Sequence, residues 1–379
     1  MISRRALLAF PALAACSRRS TAFDGYVFIA NEEGQAVAAV DLGALAVAKH
    51  IPLDAAPTEV AAAVTRPAVY ALTPATGMVH EIETGHLRLG RNVAVGIQAS
   101  SLQIASDEKT LFVLTRDPPS LCAISTNTML LDWRLPLPED PVQLELSPDG
   151  TVAAISSASS VCLVNLRDPG AQAVGNPLAG DPAGTGDFGA LRFCYDGQTL
   201  IAARRGDRML SLYDVAASLK DPRGGLLAHL PVSVRPEHFC FSHDGGQLFV
   251  TGEGMDAVVI VYPNHTPEVG ETVLAGHAPG AMAASESLLF IASPESGQVT
   301  VLGIDSHRVI GVVQVGSDPG FVAVTPGDQY ALVLNRASGD MAVLSVRTIA
   351  ANANRYKSAA LLTVIPVGSR PVSAAVRAV

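Results

Sequence analysis

The stretch ARRGDRM, Ala203 to Met209, places Arg204, Arg205 and Arg208 in one short turn. A guanidinium fork recognises carboxylate or phosphate through paired hydrogen bonds, so three of them beside Arg235 in RPEHF would make an anion clamp. The competing reading is a solvated turn whose arginines pair with Asp207 and neighbouring carboxylates. RPEHF also supplies Glu237 and His238, a general base or a metal or haem ligand if His277 of AGHAPG lies beside them. Against that stands a histidine merely hydrogen-bonded to a corner carbonyl. Arg336, in NRASGD, completes the set. No catalytic residue is assigned, and no nucleotide-binding glycine loop, H-E-x-x-H or G-x-S-x-G occurs. No cofactor is expected, and no metal set either: the cysteines form no C-x-x-C pair and their spacings match no zinc pattern. The RGD at 205–207 is a three-letter match and carries no chemistry.

These residues sit in a repeat. LSPDGTVAAISSASSVCLVNL, FCYDGQTLIAARRGDRMLSLYDV, FSHDGGQLFVTGEGMDAVVIVY and ASESLLFIASPESGQVTVLGID share one plan. Each has a short strand, a tight D-G-like turn, an apolar strand, a polar turn and a third strand. A fourth strand follows, ending in a Gly/Pro corner such as VVQVGSDP or TVIPVGSRP. The spacing of about 40 to 50 residues is that of a four-stranded propeller blade. Near-continuous apolar strands fit blades buried on both faces. Inner strands are predicted at Glu59–Val64, Leu102–Ala105, Val142–Leu146, Ala190–Tyr195, His238–Phe241, Ala281–Ala284, Phe321–Val324 and Ser373–Val379. The prediction is therefore an all-β, closed propeller of about eight blades, with seven as the alternative. The chain enters the pattern at a second strand (YVFIANEEGQAVAAVDL) and leaves it with a first strand (RPVSAAVRAV), so the C-terminal strand closes the ring in the N-terminal blade. The stretch from Arg347 to Tyr356 reads as a long loop or a short helical turn.

LFVTGEGMDAVVIVY, YVFIANEEGQAVAAVDL and IPVGSRPVSAAV resemble the YVTN-type propeller repeats of secreted bacterial and archaeal proteins. The resemblance covers the chain after residue 24. It implies the fold, and through the lactonase-like members it also implies hydrolysis as an alternative function. The eighth unit gives a second resemblance, to haem-binding propeller domains of periplasmic nitrite reductases.

In such a ring, the loops joining strands two to three and one blade to the next share one face around the channel. That face would gather Asn31, Glu32, Glu33, Glu139, Asp140, the ARRGDRM turn, Arg235, Glu237, His238, Glu253, Asp256, His277, Glu295, Asp318, Arg336, Asp340 and Arg370. Glu145, Arg192 and Arg377 fall on otherwise apolar inner strands, where an unpaired charge is costly. They are expected to line a wet channel or pair across it.

The chain of 379 residues carries a net charge of −9, which repels phosphate backbones and argues against a nucleic-acid partner. Its start, MISRRALLAFPALAAC, has a basic end, an apolar run too short to span a bilayer, and a lipobox-like Leu-Ala-Ala-Cys. Residues 1–16 read as a lipoprotein signal ending at a lipidated Cys16, 17–23 as a tether and 24–379 as one propeller domain. The paired arginines at 4 and 5 suit twin-arginine as well as general export. Cys122, Cys162, Cys194 and Cys240 are expected as free thiols. The expected protein is an exported, lipid-anchored binding or scaffold propeller facing the periplasm or cell surface. Its partners are the membrane through the lipid, and an envelope protein, the cell wall or a small anionic ligand. A lactonase-like hydrolase and a haem or metal carrier remain as alternatives.

Overall fold

The computed structural model describes residues 23–169, 187–221, 224–351 and 360–378. The signal segment with Cys16, and residues 352–356 of the stretch from 347 to 356, lie outside them. Among the described residues, 31 strands form eight antiparallel sheets, seven with four strands and one with three. The chain is an eight-bladed β-propeller. In chain order after the shared first blade, the blades span 59–94, 99–136, 141–165, 188–231, 235–274, 282–314 and 319–366. The three-stranded blade is the fourth, 141–165. Helical turns at Val215–Lys220 and Val346–Ala351 join the third and fourth strands of blades five and eight. The first is capped by Asp214, whose carboxylate accepts the Ala217 N–H at 2.6 Å.

Ring closure is a strand exchange between the chain ends. Pro371–Ala378 pairs antiparallel with Gly25–Asn31, matching Tyr26 with Arg377 and Phe28 with Ala375. Side chains alternate along Gly25–Asn31, and both faces are apolar. Val27 and Ile29 pack with Leu332, Leu334 and Met341 of blade eight. Phe28 and Ala30 pack with Val60, Val69 and Ile82 of blade two. This is why the strands read as unbroken apolar runs: each blade is filling in a sandwich. Burying a side chain such as Phe28, fully enclosed here, contributes about 1.5–3 kcal/mol.

Inner strands leave one edge of backbone N–H and C=O groups facing the axis, and side chains from the preceding blade cap several of them. The Val60 N–H reaches Ser373 Oγ at 3.4 Å, and the Leu102 N–H reaches Glu59 Oε2 at 2.5 Å. Gln103 spans the next gap, donating to the Leu144 carbonyl at 2.7 Å and accepting the Leu146 N–H at 3.2 Å. Arg192 donates to Glu145 at 2.7 Å across blades four and five, and Arg377 donates to the Ala63 carbonyl. Glu145 and Arg192 therefore pair between blades, while Arg377 is met by a backbone carbonyl of the next blade. Cys122, Cys162, Cys194 and Cys240 are free, the first three buried.

Candidate functional site

The mouth around the channel is assembled from strand two-to-three loops and blade-to-blade corners. In three blades the first loop residue is stapled to the corner that opens the blade. The N–H of Arg205 bonds the Asp187 carbonyl at 3.0 Å, Arg336 bonds Asp318 at 2.9 Å and Glu32 bonds Arg370 at 3.0 Å. Each corner residue has a left-handed backbone, with φ of 59°, 57° and 53°. That conformation turns its side chain back over the loop, where an ion pair closes the staple. Arg205 meets Asp187 at 2.5 Å, Arg336 grips both oxygens of Asp318 at 3.0 and 2.6 Å, and Arg370 meets Glu32 at 2.8 Å with the charges exchanged. Gly189 and Gly320 leave room for the guanidiniums; a Cβ at Gly320 would fall 2.3 Å from Arg336 Nε. The signal was present in the sequence: Asp, Gly two residues on, Arg eighteen on, in both GDFGA and SDPGF units.

The residues of the postulated anion clamp are largely met by the protein's own carboxylates. Arg204 is buried, stacked over Phe188 with 5.9 Å to the ring centre, and pairs with Asp207 at 2.5 Å. Arg205 and Arg235 share Asp187, at 2.5 and 2.9 Å, and Arg235 also reaches Glu253 at 3.4 Å. Hydrogen bonding from Arg235, aided by Arg205, holds the Asp187 carboxyl below its usual range. Asp187 was not among the residues singled out from sequence. Arg208 is exposed, lies against Gly254 and makes no ion pair among the described residues.

Glu237 is partly buried behind this cluster. Burial and the Glu253 charge push its carboxyl up, opposed by Arg205 and Arg235. His238 follows Glu237 on the same inner strand, reachable by solvent yet walled by protein. Desolvation, reinforced by the Arg336 charge, holds its imidazole below the usual value. His277 does not join them. It bridges two loops of the rim, with Nδ1 at 3.0 Å from Asp256 and Nε2 at 3.0 Å from Glu295, and the Asp256 contact raises its pKa. The structure thus brings Arg205, Arg235 and Glu237 together, and sets His238 towards Arg336 instead of His277. No group of three or more His, Cys, Asp or Glu side chains placed to hold a metal ion occurs among the described residues.

At the seam between blades eight and one lies an open depression of about 570 Å3. Arg336, Asp318, Arg370 and Glu33 line it together with residues 337–339, Pro366, Gly368 and Ser369. Its floor is fixed by the N–H groups of Val367 and Gly368, which both bond the Gly339 carbonyl, at 3.1 and 3.2 Å.

No protein-family model matches the chain, and no curated protein matches its sequence. Solved structures do resemble it. Dihydro-heme d1 dehydrogenase NirN, in complex with DHE, superposes with a TM-score of 0.75 at 12% identity, over 93% of this chain and 75% of that one. Apo AztD from Citrobacter koseri gives 0.66 at 12% identity, over 94% and 98%. A functionally unknown protein from Desulfotomaculum acetoxidans gives 0.61 at 12% identity, over 93% and 99%. At such identities the likeness is one of fold.

Proposed function

We propose that this chain is a binding propeller of the cell envelope, of the YVTN type, tethered through a lipid on Cys16, whose mouth face docks its ligand or partner. The observation that carries the reading is the preorganisation of that face. Asp187 with two arginines, Asp318 with Arg336, and Glu32 with Arg370 hold charged side chains in fixed geometry, the last two pairs beside an open depression. Groups already paired and immobilised lose little conformational entropy when a ligand arrives, which favours recognition. Clefts of this size with a few convergent polar groups are the usual small-ligand sites. The test is hydrogen exchange on the full chain, with and without an extract of its native envelope. Protection concentrated in residues 31–36, 204–209, 335–340 and 366–371 is expected. Protection confined to the D-G turns of the opposite face, or none at all, sinks the reading.

A second reading is a haem-type carrier, and His238 is the observation that favours it. Its imidazole is kept neutral, the form that ligates iron, and it has no hydrogen-bond partner among the described residues. Met282, Ala283, Phe321 and Ala323 on the inner strands of blades seven and eight are only partly buried, which suits the apolar wall that a flat macrocycle needs. A similar fold is that of dihydro-heme d1 dehydrogenase NirN, recorded in complex with DHE. Protein purified from its own envelope would then absorb in the visible range, and His238→Ala would lose that band. A colourless preparation counts decisively against it.

A further inference from the structure

The seam depression has a more specific chemistry than the rest of the mouth. Its four charged lining side chains are two acids and two bases, Glu33 and Asp318 against Arg336 and Arg370. The lining therefore carries both signs with no net charge. The valences are only partly used. Arg336 spends Nε and Nη2 on Asp318, and its Nη1 has no partner among the described residues. Arg370 spends Nε on Glu32 at 2.8 Å, while its Nη1 stands 3.8 Å from Glu33, too far for a hydrogen bond. Glu33 thus keeps a carboxylate that is 64% exposed and without a hydrogen-bonded cation.

An anion would find free guanidinium N–H groups here, but would also face Glu33 and Asp318. A cation would meet the reverse problem. A ligand with one charge of each sign satisfies both. From this juxtaposition we infer that the seam depression binds a short zwitterionic peptide with free termini. The peptide ammonium lies against Glu33, and its terminal carboxylate lies against the free guanidinium edges of Arg336 and Arg370. Charge-assisted hydrogen bonds of this kind are the stronger class. The pairing of Arg336 with Asp318 fixes the guanidinium plane before the ligand arrives. The floor is equally fixed by Gly339 and Gly368, whose positive φ values of 71° and 125° let the two loops touch. The site exists only in the closed ring, because one wall comes from the N-terminal blade and the rest from the C-terminal turns.

The inference deepens the reading of the mouth as a binding face and rests on it. The test is calorimetric titration of the full chain at pH 7 with trialanine, N-acetyl-trialanine and trialanine amide. Trialanine is expected to bind, and capping either end to weaken binding by about tenfold, the scale of one lost charge-assisted hydrogen bond. Glu33→Gln is expected to weaken trialanine by a similar factor and to leave the acetylated peptide unaffected. Arg370→Gln is expected to weaken trialanine and spare the amide. Should Arg370→Gln fail to fold, Glu33→Gln on the exposed rim decides alone. Equal binding of free and capped peptides, an unaffected Glu33→Gln, or no heat with any peptide overturns the proposal. If envelope extract protects the mouth loops while trialanine gives no heat, the peptide assignment falls and the binding-face reading stands.

Discussion

Glu59 begins the second blade's inner strand with its carboxylate turned into the gap before blade three, where it accepts the Leu102 N–H at 2.5 Å. Burial raises its pKa from 4.5 to about 7, against the opposing effect of that hydrogen bond. A raised folded-state pKa means that the folded protein holds the proton more tightly than the unfolded chain. The contribution of Glu59 to stability is therefore fully present below pH 4.5, declines as pH rises towards 7, and is lost above it. At about 1.4 kcal/mol per pH unit, the decline amounts to about 3 kcal/mol. Glu59→Gln keeps an oxygen for the Leu102 N–H and removes the titrating charge. The variant is expected to match wild type near pH 4 and to exceed it by about 1–3 kcal/mol at pH 8, with the lower figure applying if channel solvent relaxes the site. Urea unfolding followed by the fluorescence of Trp133, the only tryptophan, measures the difference across that pH range. Glu59→Ala is the control: it also leaves the Leu102 N–H without an acceptor, costing about 1–3 kcal/mol relative to the Gln variant at every pH. A Glu59→Gln protein no more stable than wild type at pH 8, or a gap independent of pH, refutes the desolvation argument.

Gly320→Ala drives a methyl into Arg336 and breaks its grip on Asp318; a loss of about 1–3 kcal/mol is expected. Gly311→Ala, where an added Cβ meets nothing within 4 Å, should change stability by less than about 0.5 kcal/mol in either direction; calorimetry of both variants checks the contrast. Asp187→Asn leaves Arg205 and Arg235 without their shared counter-ion, at a cost of about 1 kcal/mol at pH 7 because the site is partly solvated. Since the Asp187 pKa is depressed, that difference should be fully present above pH 3.8 and vanish as pH falls through the lower folded-state value; a difference that persists in acid contradicts the ion-pair account. Cys16→Ala is expected to release the protein from the membrane fraction, and unchanged retention by fractionation and blotting removes the anchoring proposal.

The blade plan was legible because its signals are local. A D-G turn, an apolar run and a Gly/Pro corner lie within a few residues of one another, as in VTPGDQYALVLNRASGDMAVLSV, and backbone preferences act at that range. The orphan strand at each end of the chain implied closure for the same reason: edge groups need partners. The face on which Arg204, Arg205, Arg235 and Arg336 emerge followed from strand direction alone. The short helix at Val215–Lys220 was not anticipated, because six residues are too few to establish a helical period.

What the sequence by itself determined is the repeat, the closed ring and the side of it that gathers charge. Only the tertiary structure decided which charges are spent. Asp187 and Arg235 are 48 positions apart, Glu145 and Arg192 are 47, and Arg370 and Glu32 come from opposite ends of the chain. Such pairs form where adjacent blades, or two turns of the same blade, bring side chains within about 3 Å. That proximity is set by blade packing and ring closure, while charge composition alone leaves every arginine with many candidate partners. The anion clamp suggested by ARRGDRM thereby became a set of internal staples, and the open valences moved to the seam where the two ends of the chain meet.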